Sequence, residues 1–351
     1  YQLLNFFKNI TLFSLGFLPR IKPVCFIVLL HFIFSNTSFC QQNLVYNGDF
    51  EEYSSCPNNV SNPSEIPYQI EKCIGWTAPT YGTSDYFNAC SVFPVSVSDN
   101  FGGNQLPSSG NGYLGGYFTS YTGGSGTDSY SGIMWWEYLQ GRLIEPLQNG
   151  KIYQLSLKVS LAELSDLMIN EIGVFFSNNP ISSENTSNLK VNPQCVFHNP
   201  SFFSDTTEWM YLETIFLADG GEKFITIGNF KDDLTTDTLR RFDGEPLYSN
   251  PFVTYMFVDD VKLIEFPNDL NLTNVFSPNN DGINDSLTFP SLGNGNHKVT
   301  VLNRWGNLIY ESTLNHFSWN GEDLEGKKCI DGTYFYRIDN TNISGFIQLV
   351  R

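Results

Sequence analysis

Residues 151–160, KIYQLSLKVS, alternate apolar and polar side chains from Tyr153 onward. Leu155, Leu157 and Val159 continue the apolar set, and a polar side chain separates each from the next. A period of two places successive side chains on opposite faces of a strand, so the pattern is typical of an antiparallel strand with one buried face. The stretch therefore predicts that the fold is built from β-strands.

Further stretches with strand character lie on both sides of it. The same alternation recurs over residues 172–176, and residues 222–230 and 252–266 also fit strands. The last of these is apolar on both faces, which is typical of a central strand. Residues 161–168 fit either a short helix or a continuation of the strand before them. Together these patterns predict an all-β protein.

The composition agrees with an exported β protein of two domains. The chain has 351 residues, more than one hydrophobic core usually fills, and its 30 Phe and 18 Tyr favour strands. Its formal net charge of −17 repels the phosphate backbone, so we expect no nucleic-acid partner. An acidic surface is compatible with divalent cations and with neutral glycans.

The N-terminal region has the character of a signal peptide. Residues 24–34, VCFIVLLHFIF, form an apolar run that is too short to span a membrane. Small residues predict cleavage before Gln41, and the alternative is a lipoprotein in which Cys40 itself is modified. Residues 1–40 are therefore expected to be removed, which leaves no transmembrane span in the mature chain. Residues 1–19 contain no initiating Met, and we expect them to be spurious upstream sequence or the edge of a fragment.

Cysteine usage fits an oxidising compartment. Five cysteines follow the predicted cleavage site, and no CxxC pair suited to zinc or redox chemistry is present among them. Four are disulfide candidates in the first domain: Cys56, Cys73, Cys90 and Cys195. Four cysteines allow three pairings between which the sequence does not choose; we favour Cys56–Cys73 with Cys90–Cys195.

A second, smaller β unit is predicted at the C-terminus. Residues 299–301 and 308–310 flank a turn that contains Gly306, as in a β-hairpin. Residues 333–338 and 345–350 fit the closing strands. About eighty residues in short strands suit an immunoglobulin-like β-sandwich.

Five motifs follow one another in this unit: VFSPNNDGIND (275–285), NRWGNLIYES (303–312), FSWNGED (317–323), DGTYFYRI (331–338) and GFIQLVR (345–351). Their order and spacing resemble the gliding-motility-associated C-terminal domain, the type B sorting domain of type IX secretion. The resemblance implies an export signal at residues 272–351 after a linker at residues 267–271. It implies the type IX secretion machinery as a partner and carries over no catalytic residue.

The motifs of this unit have structural interpretations. Trp305 and Trp319 are expected to be core or edge-covering aromatics of the small sandwich. The Asn and Asp side chains of residues 279–285 favour turns. The alternative for these residues is a calcium loop, because oxygen ligands stand at alternate positions.

The two ends of the first domain carry NLVYNGDFE at residues 43–51 and YMFVDDVKL at residues 255–263. They resemble the first and last strands of jelly-roll carbohydrate-binding modules, which implies that the two ends pair in space. It also implies a structural calcium ion held by Glu51 with Asp259 or Asp260. Three acids brought together repel one another unless a cation or a proton neutralises them, which independently favours a metal. The alternative is that the aspartates cap a strand turn.

An aromatic platform for sugar binding is a second prediction for this domain. In a strand, Trp136, Tyr138 and Gln140 share one face, and Trp76 and Tyr86 on nearby loops would extend it. Aromatic faces stack on sugar CH groups, and amides bind the hydroxyls. The alternative is that these aromatics pack under long loops.

The sequence disfavours an enzyme. No histidine pair with metal-ligand spacing, nucleophile elbow or phosphate-binding loop is present after the signal region. A carboxylate pair for glycoside hydrolysis remains open, with Glu137, Glu163 and Glu171 as candidates.

The sequence therefore predicts a secreted or cell-surface, non-catalytic protein. A jelly-roll β-sandwich at residues 41–266 would bind a polysaccharide or another surface component, and the unit at residues 272–351 would direct export. One alternative is a structural adhesin or matrix protein with protein partners and no sugar site; the other is a glycan hydrolase.

Overall fold

A computed structural model describes the chain at residues 41–121, 135–232, 234–241, 252–266, 274–289, 297–314, 317–339 and 343–351. The signal-peptide and linker predictions, at residues 1–40 and 267–271, lie outside the described residues. Among the described residues, no helix is long and apolar enough to cross a membrane.

The first sandwich comprises twelve described strands and a 3₁₀ helix at Gln69–Lys72. The strands are β1 (Trp76–Thr77), β2 (Asp85–Asn88), β3 (Gly112–Tyr121), β4 (Leu139–Arg142), β5 (Ile152–Leu161), β6 (Leu167–Ile169), β7 (Glu171–Ser177), β8 (Cys195–His198), β9 (Met210–Leu217), β10 (Phe224–Gly228), β11 (Thr238–Arg240) and β12 (Phe252–Glu265). Two five-stranded sheets, in the orders β1-β4-β10-β7-β8 and β2-β3-β12-β5-β9, enclose the core, and β11 pairs with β6. The jelly-roll prediction is confirmed.

Strand β5 shows how the sequence pattern produces this sandwich. Leu155, Leu157 and Val159 are fully buried, whereas Gln154 and Lys158 are only half-buried on the opposite face. Each large aliphatic side chain removed from water contributes about 1.5–3 kcal/mol to stability, which fixes the face that turns inward. Strand β5 lies between β12 and β9.

Two strand predictions around β5 can be compared with the structure. Strand β12 pairs with β3 on one side and β5 on the other, so it is central, as its two apolar faces predict. Residues 161–168 form no helix: β5 ends at Leu161, and β6 begins at Leu167 after a turn.

The cysteine pairing differs from the favoured prediction. Cys56 is bonded to Cys90, with 5.8 Å between their Cα atoms, so the pairings Cys56–Cys73 and Cys90–Cys195 are wrong. Cys73 and Cys195 are buried thiols, and burial raises the pKa of both. Cys73 accepts a hydrogen bond from Asn47 Nδ2 over 3.3 Å. Both thiols therefore act as small core side chains, a role that cysteine spacing does not reveal.

The second sandwich comprises seven described strands: β13 (Val275–Phe276), β14 (Leu287–Thr288), β15 (Lys298–Leu302), β16 (Leu308–Thr313), β17 (Ser318–Trp319), β18 (Gly332–Ile338) and β19 (Ser344–Leu349). One sheet has the order β13-β19-β18-β15-β16, and β14 pairs with β17 in the other. The predicted hairpin is β15–β16, and Gly306 supplies the positive φ of +80° that its turn needs. The immunoglobulin-like prediction is confirmed.

The two tryptophans of the second sandwich have opposite environments. Trp319 is fully buried between Tyr334 and Phe276, with ring centroids 5.0 and 5.2 Å away. Its Nε1 donates to the carbonyl of Glu322 over 2.7 Å. Trp305, at the β15–β16 turn, has 71% of its surface exposed. The core expectation is right for Trp319 and wrong for Trp305.

Candidate ligand-binding groove

A β-bulge in strand β12 shapes the outer face of the sheet that contains β5. The pairing of β12 with β5 shifts register between Asp259 and Lys262, where Asp260 has a φ of +51°. A bulge adds an unpaired residue to one strand and re-aims the side chains beside it. Asp260 thereby joins Lys262 and Ile264 along one wall of a groove.

The N-terminal motif lies against the bulge and forms a rim of the groove. Asn43 Nδ2 donates to the carbonyl of Val261 over 2.9 Å, and Asn43 Oδ1 accepts from the N–H of Leu263 over 2.9 Å. The N–H of Val261 donates to the carbonyl of Gly48 over 2.8 Å. A Cβ at Gly48 would lie 2.1 Å from the Val261 oxygen, so this approach requires glycine. The two ends of the domain therefore meet, as the jelly-roll resemblance implies.

The floor of the groove is formed by outward side chains of three adjacent strands. Lys158 of β5 stands opposite Tyr211 of β9, and Ser156 stands between Glu213 of β9 and Lys262 of β12. The groove has a volume of about 520 Å³. Its lining is mostly polar: Asn43, Gly48, Asp49, Gln154, Ser156, Lys158, Tyr211, Glu213, Asp260, Val261, Lys262 and Ile264.

The groove combines an exposed aromatic ring with hydrogen-bonding groups. Tyr211 has 58% of its surface exposed, and its hydroxyl donates to Glu213 Oε2. Within the described part of the chain, the side chains of Gln154 and Lys262 form no hydrogen bond, which leaves both available to a ligand. A ring that can stack beside an amide, an ammonium group and a carboxylate suits a polyhydroxylated ligand.

Three side chains hold the Asp260 carboxylate in the wall of the groove: Lys158, Ser108 and Ser109. Lys158 Nζ lies 2.9 Å from Asp260 Oδ2, and the Ser108 and Ser109 hydroxyls donate to the two carboxylate oxygens over 2.8 and 2.5 Å. Burial alone would raise the pKa of Asp260, but these donors hold it below its ordinary value.

The predicted calcium ligands contact one loop, residues 108–112. Asp259 Oδ2 accepts from the N–H groups of Ser108 and Ser109 over 2.8 and 3.3 Å. Glu51 Oε1 accepts from the N–H groups of Asn111 and Gly112 over 2.6 and 2.9 Å. Burial, followed by the charge of Asp260, raises the pKa of Asp259 to about 7.

These contacts reduce the electrostatic repulsion among the three carboxylates without a cation. Backbone amides hold Glu51 and Asp259, Lys158 compensates Asp260, and the raised pKa of Asp259 makes a proton available to it. Across the described ranges, no group of three or more His, Cys, Asp or Glu side chains could hold a metal ion. The calcium ion predicted on Glu51 with Asp259 or Asp260 stays a prediction.

The turn at residues 279–285 also satisfies its acids internally. Asp285 accepts from the N–H groups of Asn279, Asn280 and Gly282 over 3.0, 2.6 and 2.8 Å. Asp281 accepts from the N–H of Ile283 over 2.8 Å. The contacts agree with the turn interpretation of this motif.

The predicted aromatic platform is wrong, because all five of its side chains are buried: Trp136, Tyr138, Gln140, Trp76 and Tyr86. The segment around residue 181 covers the face that was predicted to be wet. Gln140 exchanges two hydrogen bonds with the backbone of Ile181, and Tyr138 accepts from the N–H of Leu189 over 2.9 Å. These side chains pack under a loop, as the alternative to the sugar-binding platform predicts.

The two platform residues that were predicted on loops, Trp76 and Tyr86, lie in β1 and β2 and are core residues. Trp76 packs edge-on against Phe50 at 5.0 Å between ring centroids, and its Nε1 donates to the carbonyl of Asn47 over 2.9 Å. The Tyr86 hydroxyl donates to the carbonyl of Phe50 over 2.9 Å. Both rings anchor the N-terminal motif rather than face solvent.

The three glutamates that were candidates for a glycosidase pair lie in different environments. Glu137 is fully buried and accepts four hydrogen bonds, from Thr83, Trp135 and Tyr117. Glu171 pairs with Lys231 over 2.8 Å. Glu163 is exposed at the turn after β5. None of the three lines the groove.

Sequence reasoning missed the groove, although a signal for it exists. Residues 210–217, MYLETIFL, alternate in the first half of β9 and place Tyr211 and Glu213 on the face away from the core. Gln154, Ser156 and Lys158 are the polar residues that alternate with the apolar set of β5, and they form its outward set. Only the strand order β12-β5-β9 shows that the two outward sets are neighbours.

Comparison with known proteins identifies the second sandwich. Residues 270–349 match the family model described as CHU_C Type IX secretion signal domain. The second sandwich is a secretion signal domain. It implies export of this chain by the type IX route and a cell-surface or secreted location. No curated protein sequence matches the chain.

Solved structures resemble the chain only partially. The K1 cleaved adhesin domain of Lys-gingipain from Porphyromonas gingivalis W83 is 13% identical, with 59% of this chain and 96% of that chain covered and a TM-score of 0.29. The CBM22-1 xylan-binding domain of Xyn10C from Paenibacillus barcinonensis is 10% identical, with 60% and 97% covered and a TM-score of 0.28. The adhesin domain of Epf from Streptococcus pyogenes is 12% identical, with 68% and 76% covered and a TM-score of 0.21.

Proposed function

We propose that this exported protein is non-catalytic and binds a surface polysaccharide in the groove formed by β5, β9 and β12. The observation that carries the proposal is that the exposed Tyr211 ring lines the same groove as the unpartnered amide of Gln154 and the ammonium group of Lys262. Stacking on the tyrosine and hydrogen bonds to the polar groups are the two contacts that a sugar ring needs.

The shape and polarity of the groove favour a chain ligand over a protein partner. The groove is an open channel with a mostly polar lining. A stable protein interface needs an apolar centre, which this lining does not supply. A polysaccharide binds along such a channel through repeated weak contacts, so the groove suits the glycan more than the adhesin alternative.

The acids near the groove support binding rather than hydrolysis. Retaining glycosidases need two carboxyl groups about 5 Å apart, and inverting enzymes need about 6.5–9.5 Å, with one of them free to transfer a proton. Three acids line the groove: Asp49, Glu213 and Asp260. Glu213 accepts from Tyr211, and Asp260 is paired with Lys158. Exposed Asp49 therefore has no second free carboxyl group in the groove to act with.

Replacing Tyr211 by alanine should remove polysaccharide retention. Native affinity gels that contain soluble glucan, xylan, mannan or a polyuronate would measure the mobility of residues 41–351. We expect at least one polymer to retard the wild-type chain and Tyr211→Ala to weaken that retardation about tenfold, because stacking aromatics dominate such sites. EDTA should leave the retardation unchanged, since donors of the chain already satisfy the nearby acids.

Tyr53 supplies a matched control for this experiment. It is also an exposed tyrosine of the first sandwich, and it does not line the groove. Tyr53→Ala should therefore migrate like the wild type in every gel. Failure of all polymers to retard the wild type, or equal loss in both variants, would refute the glycan proposal.

A further inference from the structure

The outer face of the five-stranded sheet in the secretion signal domain carries a row of apolar side chains. Phe346 of β19 stands opposite Phe335 of β18, Phe335 opposite Leu302 of β15, and Leu302 opposite Leu308 of β16. The row therefore crosses four adjacent strands without a gap. We name these four residues, together with Trp305 in the turn between Leu302 and Leu308, the apolar row.

The apolar row is exposed although the same sheet has a well-packed inner face. Phe346, Phe335 and Leu308 have 52%, 45% and 46% of their surface exposed, and Trp305 has 71%. The neighbours on the inner face, among them Tyr334 and Ile347, are buried. With the half-buried Leu302, these side chains expose on the order of a few hundred Å² of apolar surface, the size of the largest apolar patch on a typical monomer, which is often functional.

Two ion pairs lie in the strands around the apolar row, and the guanidinium carbon of Arg304 lies 5.4 Å from the centroid of the Trp305 ring. Lys298 pairs with Glu311 over 2.6 Å, and Arg337 pairs with Asp339 over 3.4 Å. The whole domain is also close to neutral, because residues 270–351 contain 6 basic and 8 acidic side chains, a net charge of −2. Residues 41–269 contain 10 basic and 28 acidic side chains, a net charge of −18. The apolar row therefore suits an apolar partner surface and offers little for a highly charged one.

We infer that the apolar row is the docking surface by which a protein of the type IX export machinery holds this chain. The inference rests on the export function, because a secretion signal acts only when a component of the exporter recognises it. The occupant is then a protein with an apolar, weakly charged surface. Trp305 is the natural anchor of this contact, since an exposed tryptophan that becomes buried in a complex contributes more than most side chains.

Export measured in the producing bacterium tests the docking surface. The full chain would carry either Trp305→Ala or the pair Phe335→Ser and Phe346→Ser, and immunoblots would compare the periplasm with the cell surface and medium. We expect each change to lower the exported fraction about tenfold. The melting temperature should stay close to that of the wild type, because the altered side chains point away from the core.

Leu324 and Ile330 provide the matched control. Both are exposed apolar residues of the same domain, in loops outside the apolar row. The pair Leu324→Ser and Ile330→Ser should be exported like the wild type. Normal export of the Trp305→Ala chain, or an equal loss in the loop control, would overturn the inference.

Four further results would overturn the inference or separate it from the export function. Light scattering that shows a dimer abolished by Phe335→Ser would assign the apolar row to a second copy of the chain. Binding of the wild type to vesicles of bacterial phospholipid, lost in the same variant, would assign it to the membrane. Export of a chain that ends at residue 269 would refute the export function itself, whereas retention of that chain with normal export of the apolar-row variants would refute only the docking surface.

Discussion

A chain that ends at residue 269 should remain in the periplasm, with its exported fraction reduced to background. The removed part contains the whole secretion signal domain, which matches its family model over residues 270–349. The first sandwich keeps its own buried core in the described residues, including Leu155, Leu157 and Val258. The truncated chain should therefore fold and accumulate rather than be degraded, and cell fractionation with immunoblotting measures both quantities.

A full-length variant shows whether export is lost because the signal is missing or because truncation uncovers part of the first sandwich. Ile152 and Leu217 of the first sandwich pack with the buried cluster of the second, so truncation would uncover them. Trp319→Ala keeps the complete chain but empties the centre of the signal domain, at a cost of about 3–5 kcal/mol. It should also block export. Normal export of both chains would show that residues 270–351 are not the signal.

Replacing Glu137 by alanine should produce a large loss of stability in the first sandwich. Its carboxylate accepts from the N–H groups of Thr83 and Tyr117 over 2.7 and 2.9 Å and from Trp135 Nε1 over 2.8 Å. Alanine leaves these donors without an acceptor, and each buried unsatisfied donor costs about 1–3 kcal/mol. We expect a total of at least about 3 kcal/mol and a melting temperature lower by about 10 °C.

The pH dependence of stability gives a second readout for Glu137. Burial raises the pKa of Glu137, although its hydrogen bonds act in the opposite direction. The native state therefore holds the proton to a higher pH than the unfolded chain does, and the free energy of unfolding should fall as pH rises above about 4. Glu137→Gln, which stays neutral, should flatten this slope in denaturant titrations.

Exposed Glu145 is the control for both measurements. It is a glutamate of the same sandwich that lies in solvent, so Glu145→Ala should change stability by less than about 0.5 kcal/mol. A melting temperature of Glu137→Ala equal to that of Glu145→Ala would contradict the role assigned to the buried carboxylate.

Local alternation was enough to predict some strands of the first sandwich, such as β5 and β7, and the buried face of β5. The pattern in β5 determines which side chains leave water, and that choice depends only on neighbours along the chain. The same reasoning failed at Trp136, Tyr138 and Gln140. Alternation separates two faces of a strand but does not show whether a distant loop covers the outer one, as the segment at Ile181 does here.

The acids at the two ends of the first sandwich show a similar limit. The resemblance placed Glu51 and Asp259 near each other, and both contact residues 108–112. Because every residue except proline has a backbone N–H group, the sequence does not show which of these groups will donate to an acid. The sequence therefore showed negative charges that needed compensation and suggested a cation, but it could not show that backbone donors and Lys158 also compensate them.

The most direct test of the central claim is to locate a bound oligosaccharide on the first sandwich. Amide chemical shifts of isotope-labelled residues 41–351 would be followed while an oligosaccharide of the polymer retained in the gels is added. Binding in the groove predicts shifts concentrated at Gln154, Lys158, Tyr211 and Lys262. Shifts centred on residues outside the groove, or no saturable shift at all, would contradict the account.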